Sequence, residues 1–500
     1  MQTNMKVKEL IDKTMRVFGK DDCEISNLSH NSKEIRENGL FFAIHGTKVN
    51  GEDFVQEAIK NGAICIVSEN KLDLPDDICQ IVCPDSRKAM SIIASNFYGN
   101  ASKDMFIIAV TGTNGKTTST YMLASVFKNA GKKVGIIGTN GIFIDKQNID
   151  HNLTTPDPID LQKTFAIFKE SGVQVVCMEL SAHALELQKN WGVMTDIALF
   201  TNLTQDHLDF FNTMENYGKA KAKLFTKDFA KMAVINADDD FGFSLFKGIK
   251  IPAIAYGRQK SQKTERLANC NVVALSEHLL ENMPGQDFVV KVFGKEQKIH
   301  INLDGGFNVS NALGVVGAGY LAGLSLKIIA GGLGKLESVD GRFNTYLING
   351  VKVIIDYAHT PDGLLNILHA ARELAEGKRV IAVFGCGGNR DMTKRKIMGA
   401  IACKNADFSM ITSDNPRFEA PESIASQIKE GFSENNYKVI IDRKQAIKEA
   451  IKIANSGDVV VIAGKGAENY LDVNGEKIFY SDKGTVEELK EEFEAHTNKK

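Results

Sequence analysis

Residues 105–131 read MFIIAVTGTNGKTTSTYMLASVFKNAG, and the fold turns on how this stretch is read. MFIIAV is an unbroken apolar run, the pattern of a strand buried on both faces. A glycine-rich turn follows, then TTSTYMLASVFKNAG, a helical pattern that stops at a glycine. Strand, glycine-rich loop and helix in that order make a phosphate cradle. Glycine lets the backbone fold around phosphate oxygens, and the helix start offers free N–H groups at the positive end of its dipole. Gly112, Thr113, Asn114, Gly115, Lys116, Thr117 and Thr118 are therefore the candidate nucleotide-binding residues. Lys116 suits the β- and γ-phosphates, and the Thr117 hydroxyl suits Mg²⁺. The loop departs from GxxxxGK[ST], because Val110 stands at the first glycine position.

Working outward, VGIIG (134–138), VQVVCMEL (173–180) and DIALFTNL (196–203) read as further apolar strands. Helical stretches such as IDLQKTFAIFKESG (159–172) separate some of them. This alternation predicts a parallel sheet covered on both faces. Residues 257–305 read as an irregular β-rich insertion. The theme repeats in VKVIIDYAHT (351–360), RVIAVFGCGG (379–388), FSMITSDNP (408–416) and VVVIAG (459–464). Each of these ends in a polar or glycine-rich loop, where open α/β sheets bind their ligands. Before the loop, GLFFAI (39–44), FVQEAIKNG (54–62) and AICIVSE (63–69) read as a small α/β unit. The expectation is an α/β protein of three domains, 1–102, 103–337 and 338–500, with the first boundary in YGNASKD (98–104). The tail from residue 487 reads as a surface helix.

Composition narrows the class. The chain has 500 residues, 43% hydrophobic and 24% charged, with a formal net charge of −2. That balance suits a soluble multidomain protein and gives no sign of a nucleic-acid or anionic-membrane partner. Eight cysteines are scattered without a CxxC pair, so neither a zinc site nor a disulfide scaffold is expected. The first twenty residues lack the apolar core of a signal peptide, and no run is long enough to span a membrane. The expected setting is the cytoplasm, and the expected state a monomer.

Further stretches fall in a telling order: Thr154-Thr155-Pro156, MELSAHAL (178–185), TNLTQDHLDF (201–210), NYGKAKAKLF (216–225), GGFNVSNAL (305–313), DGRF (340–343), DYAHTPD (356–362), GCGGNRD (385–391), DNPR (414–417) and GKGAE (464–468). Together with GTNGKTT, this set resembles the Mur ligases over essentially the whole chain. It is most similar to the branch that adds the third residue of the peptidoglycan stem peptide. The resemblance implies a UDP-binding first domain, a central ATPase domain and a Rossmann-like third domain that takes the amino acid. It implies ATP and Mg²⁺, and a ligase joining meso-diaminopimelate to UDP-N-acetylmuramoyl-L-alanyl-D-glutamate through an acyl phosphate. Such chemistry rests on positioning and charge neutralisation, which calls for cations and metal ligands at the phosphate loop.

Glu179 ends an apolar strand, where a carboxylate suits Mg²⁺ beside Thr117. The resemblance gives Glu179 that role, makes His207 the second metal ligand and makes Lys221 the lysine that becomes carbamylated. It makes Asn308 an adenine contact and Arg342 and Asp356 ATP contacts. His359 reads as a residue that structures its loop. For the UDP-muramoyl substrate it implies Ser32, the loop Thr47-Lys48-Val49-Asn50, Thr154, Thr155, Ser181 and Lys189. For the diamino acid it implies Arg390, Asp414, Asn415, Pro416, Arg417, Gly464 and Glu468. Arg417 would take the second carboxylate of meso-diaminopimelate, which L-lysine lacks. The sequence departs from the family pattern at Asn31, Lys33, Ala182, Lys189, Asn389 and Ala467, and KRK (394–396) lacks the usual proline. Those departures keep a relative with another amino acid or another carboxylate acceptor as the alternative. A non-catalytic nucleotide-binding scaffold and folylpolyglutamate synthesis are weaker rivals.

Overall fold

The computed structural model describes residues 4–46, 49–145, 147–150, 153–261, 263–280 and 285–497. The central sheet forms around Phe106–Thr111, whose last five residues are buried. This strand lies between Val175–Glu179 and Thr195–Phe200, both parallel to it. Val134–Gly138 lies beyond the former, and Ala230–Asn236 then Ala253–Arg258 beyond the latter. The chain thus leaves Phe106–Thr111 toward one edge, returns beside it, and continues on the other side. A crevice opens at such a reversal of strand order, at the strands' carboxyl ends. The phosphate loop occupies it.

Among the described residues the sheet has eleven strands, and its margins turn antiparallel. The β-rich stretch expected at 257–305 is not a separate insertion. Val272–Leu279, Gln286–Val292 and Lys295–Ile301 continue the same sheet. Helices Lys116–Asn129, Gly306–Leu321 and Leu326–Gly334 pack on one face. Pro158–Glu170, which starts on a proline suited to the first helical turn, covers the other. Phe165 and Phe168 of that helix are fully buried, each contributing roughly 1.5–3 kcal/mol of transfer free energy.

The third sheet runs Asn344–Ile348, Val351–Asp356, Val459–Ala463, Val380–Phe384, Phe408–Ile411, Tyr437–Val439. All but the first are parallel. The first sheet has five strands among the described residues, with Gly39–Phe42 and Ala63–Ser68 inside it. No described helix is long and apolar enough to cross a membrane.

Candidate active site

The phosphate loop closes tightly on its neighbours. A Cβ on Gly112 would lie 1.8 Å from Thr201 Oγ1. Gly115 has a φ of 84°, and its Cβ would lie 2.3 Å from Asn311 Oδ1. Thr201 Oγ1 donates to the Asn114 carbonyl at 2.6 Å, and the Asn114 N–H donates to Asn202 Oδ1 at 2.9 Å. Lys116 Nζ folds back onto the carbonyls of Gly112 and Thr113, at 3.1 and 2.8 Å. Burial lowers its pKa, against the opposing pull of Glu179 and Asp206.

Glu179 is 1% exposed at the end of its strand. Thr139 holds both its oxygens, the backbone N–H at 2.9 Å and the hydroxyl at 3.1 Å. A Cβ on Gly138 would lie 2.3 Å from Glu179 Oε1. The Thr154 hydroxyl lies 3.2 Å from that of Thr139. Thr155 Oγ1 donates to the Glu179 carbonyl at 2.9 Å and accepts from the Ser181 N–H at 3.1 Å. Ser181 caps the helix Ala182–Glu186. Thr154, Thr155 and Ser181 thus gather beside Glu179.

Lys221 is 1% exposed, and its Nζ donates to the Gly112 carbonyl at 2.7 Å. The ammonium lies 4.4 Å from the Tyr217 ring centre. Burial drives its pKa well below the ordinary lysine value, and Lys116 adds to the drop. His207 has a φ of 56°, and its ring lies 4.7 Å from that of His183. Burial pushes its pKa down to about 3 although Asp206 pulls the other way, so the ring is neutral near pH 7. A neutral imidazole is the form that binds metal.

Sequence reasoning gave no role to Asp206. Its carboxylate is buried between the central and third sheets, 3.2 Å from His207 Nε2 and 3.5 Å from His359 Nε2. Lys394 Nζ stands 3.9 Å away. Burial would raise its pKa, but the hydrogen bond and charge of His359, with His207 and Lys394, hold it well down. Its only sequence signal is its place in TNLTQDHLDF, just past a strand. His359 also bonds to the Tyr357 carbonyl at 2.8 Å, so it structures its loop and bridges to Asp206 as well.

Other links join the two sheets. Arg342 Nη2 donates to Thr117 Oγ1 at 2.9 Å, and its guanidinium lies 4.3 Å from the Tyr357 ring centre. Asn114 Nδ2 donates to Asp362 at 2.9 Å. Asp356 accepts from the Phe343 N–H at 2.9 Å. Burial raises the Asp356 pKa, partly offset by Arg342. Asn308 donates to the Asp304 carbonyl at 2.7 Å and accepts from Asn311 at 3.1 Å. Between them lies a cavity of about 510 Å³, lined by Thr113–Thr118 together with Glu179, His207, Asn308, Arg342 and Asp356.

A second cluster lies at the carboxyl edge of the third sheet. Asp414 accepts from the Asn415 N–H at 2.6 Å, and a Cβ on Gly464 would lie 2.5 Å from Asp414 Oδ2. Glu468 accepts from Asn415 Nδ2 at 2.9 Å and from Lys465 at 3.0 Å. Arg417, following Pro416, has a φ of 54°. Its Nη1 donates to the Gly388 carbonyl at 2.8 Å, and its Nε lies 3.5 Å from Asp472 Oδ2. Arg390 faces the central sheet, 3.8 Å from Asp209.

Ser32, Lys189 and the whole second cluster lie outside the lining of that cavity. Ser32 donates to Glu57 within the first sheet's domain. Lys189 pairs with Asp157 at 2.8 Å. Asn50 caps the short helix Gly51–Phe54, while Thr47 and Lys48 fall outside the described residues. Ala182 is buried and Ala467 is exposed.

A phosphate loop at the switch point of one sheet, facing another sheet with charged residues at its carboxyl edge, defines a multidomain α/β protein built to bind the phosphates of a nucleotide. The chain belongs to the Mur ligase family. Residues 24–98 match the Mur ligase family catalytic domain, 110–319 the Mur ligase middle domain, and 341–466 the Mur ligase glutamate ligase domain. A UDP-N-acetylmuramoyl-L-alanyl-D-glutamate--2,6-diaminopimelate ligase of Clostridium acetobutylicum is 42% identical, over 97% of this chain and 99% of its own. The corresponding ligase of Clostridium tetani is 40% identical, over 98% of this chain and all of its own. A solved structure of a ligase with the same name superposes with a TM-score of 0.68 at 30% identity, covering 98% of this chain and 99% of its own.

Proposed function

We propose that this enzyme joins meso-diaminopimelate to the D-glutamyl carboxylate of UDP-N-acetylmuramoyl-L-alanyl-D-glutamate at the expense of ATP. The observation that carries the reading is Arg417, held by the Gly388 carbonyl and Asp472 at the carboxyl edge of the third sheet, in a chain 42% identical to a ligase of that name. The glutamyl carboxylate attacks the γ-phosphorus of ATP, giving an acyl phosphate and ADP. The amine of the diamino acid then attacks the acyl carbon, losing a proton, and phosphate leaves. Residues 1–102 would hold the UDP moiety, 103–337 the ATP and 338–500 the amino acid. Ser32 and Lys189 would meet the UDP-muramoyl substrate, and Thr154, Thr155 and Ser181 would meet the part of it nearest Glu179. Arg390 and Gly464 would complete the amino-acid pocket. The reading carries with it a cytoplasmic enzyme working as a monomer.

The loop backbone and Lys116 would bind the phosphates, with Asn308 toward the base and Arg342 and Asp356 closing from the third sheet. The Arg342 guanidinium, which reaches the Thr117 hydroxyl at 2.9 Å, would neutralise charge on the transferring group. Thr117 and Glu179 offer the hard oxygen donors that Mg²⁺ prefers, and both line the cavity. The neutral His207 and Lys221, as its carbamate, would supplement them. Bound Mg²⁺ would offset charge on the phosphate oxygens. Lys221 suits carbamylation because burial favours its free amine, which adds CO₂ and releases a proton.

The test is direct. Purified enzyme with ATP, Mg²⁺, the UDP-muramoyl dipeptide and meso-diaminopimelate should yield, by mass spectrometry, the condensed product with loss of one water. Release of ADP without that product would overturn the reading.

A further inference from the structure

Arg395 is completely buried, an unusual place for a guanidinium, and nothing in the reaction above uses it. It comes from the KRK stretch (394–396) and sits on the helix Thr393–Asn405. Its fork meets Glu419 at two points, Nη1 to Oε2 and Nη2 to Oε1, both at 2.9 Å. Nη1 also reaches Gln427 at 3.0 Å, and Nη2 reaches the Gly387 carbonyl at 3.2 Å. The Arg395 hydrogen bond is the main cause holding the Glu419 carboxyl below the usual range.

These contacts join the two loops that hold Arg417. Glu419 accepts from the Asn389 N–H, and Asn389 Oδ1 accepts from the Phe418 N–H at 3.0 Å. The Gly388 N–H donates to the Asn415 carbonyl at 2.9 Å, and the Gly388 carbonyl takes Arg417 Nη1. The approach is close: a Cβ on Gly388 would lie 1.9 Å from the Pro416 carbonyl oxygen. Arg417 keeps its left-handed backbone within this frame.

We propose that the Arg395–Glu419 pair is a positioning clamp that aims Arg417 at the second carboxylate of the diamino acid, and so sets which diamino acid is accepted. The proposal rests on the diaminopimelate reading of Arg417. A bidentate pair fixes direction as well as distance, which a lysine at 395 would not reproduce. Recognition of a carboxylate by a fork is sensitive to small displacements, so loosening the clamp should act on one substrate selectively.

The test compares wild type with Arg395→Lys and Glu419→Gln, measuring KM for ATP, KM for meso-diaminopimelate and the relative rate with L-lysine. The clamp predicts a rise of about tenfold in the diaminopimelate KM, with the ATP KM within about twofold, and weaker discrimination against L-lysine. A purely structural pair would lower the unfolding temperature and leave both KM values and the discrimination as in wild type. Where a single variant leaves one buried charge unpaired and fails to fold, the double variant Arg395→Met with Glu419→Leu removes both charges and serves instead. Folded variants with wild-type diaminopimelate KM and discrimination overturn the clamp. Should wild type use a different amino acid, the Arg417 reading falls. The clamp, which aims Arg417 at a second carboxylate, then falls with it.

Discussion

Lys221 shows how little a residue type says before its surroundings are known. Three lysines stand at 219, 221 and 223, and as a sequence they read as one solvated face. In the structure Lys219 pairs with Glu215 at 2.6 Å and Lys223 with Glu186 at 2.7 Å, while Lys221 is buried against the phosphate loop. Residues two apart on a helix point to nearly opposite sides, so only one of the three turns inward. Lys221→Ala should lose turnover by on the order of 10²-fold or more while the fold holds, checked by product formation beside circular dichroism. Full activity would remove Lys221 from the site. Asp414 offers a test through pH. Burial would raise its carboxyl, but Lys465 and Arg443 hold it below the ordinary 3.8. The folded protein therefore binds this proton less readily than the unfolded chain does. The stability Asp414 contributes is complete above pH 3.8 and drains away as pH falls through the lowered folded value. Asp414→Asn should flatten the decline in urea midpoint below pH 3.8, and an unchanged slope would contradict the assignment.

Among the elements, those that carry the site were the most legible. The strand Phe106–Thr111, its loop and the helix Lys116–Asn129 follow directly from apolar run, glycines and helical period. So do Val351–Asp356, Val380–Phe384, Phe408–Ile411 and Val459–Ala463. Strands buried on both faces leave long apolar signals. The margins were not legible. Gly141–Ile144, Asn344–Ile348 and Tyr437–Val439 are short or half-exposed, so neighbouring strands rather than composition hold them. The buried Asp206, met by His359 and Lys394 from more than 150 residues away in sequence, showed only its place just past a strand, because its partners are tertiary. The loop itself can be probed at Gly115. Alanine there must take a φ of 84° and push against Asn311 Oδ1 at 2.3 Å. Gly115→Ala should cost about 1–3 kcal/mol of stability and weaken ATP binding, read by thermal unfolding and nucleotide titration. Wild-type values for both would mean the loop does not need its left-handed turn.

At the scale of the whole molecule, the carboxyl ends of two sheets meet over one cavity of about 510 Å³. The central sheet supplies the phosphate loop, and the third sheet closes it through Arg342, His359 and Asp362. The site is complete only while these domains stay together, so substrate binding and domain contact should be coupled. Arg342→Ala breaks the link to Thr117 and should lower kcat by on the order of 10²-fold, with the effect on ATP larger than on the UDP substrate. Equal effects on the two would place Arg342 outside the phosphate chemistry. Ala467 is exposed, and Lys33 lies in the first sheet's domain, so neither lines the cavity over the phosphate loop.

Arg417 is proposed to select meso-diaminopimelate while the phosphate loop drives its ligation. Phosphate release from ATP, measured with the UDP-muramoyl dipeptide and either meso-diaminopimelate or L-lysine, tests it most directly. L-Lysine brings Arg417 an ammonium and no carboxylate, forgoing a charge-assisted hydrogen bond of about 1.5–3 kcal/mol, so release should depend on meso-diaminopimelate and be roughly ten- to a hundredfold slower with L-lysine. Equal release with the two amino acids, or none with meso-diaminopimelate, would contradict it.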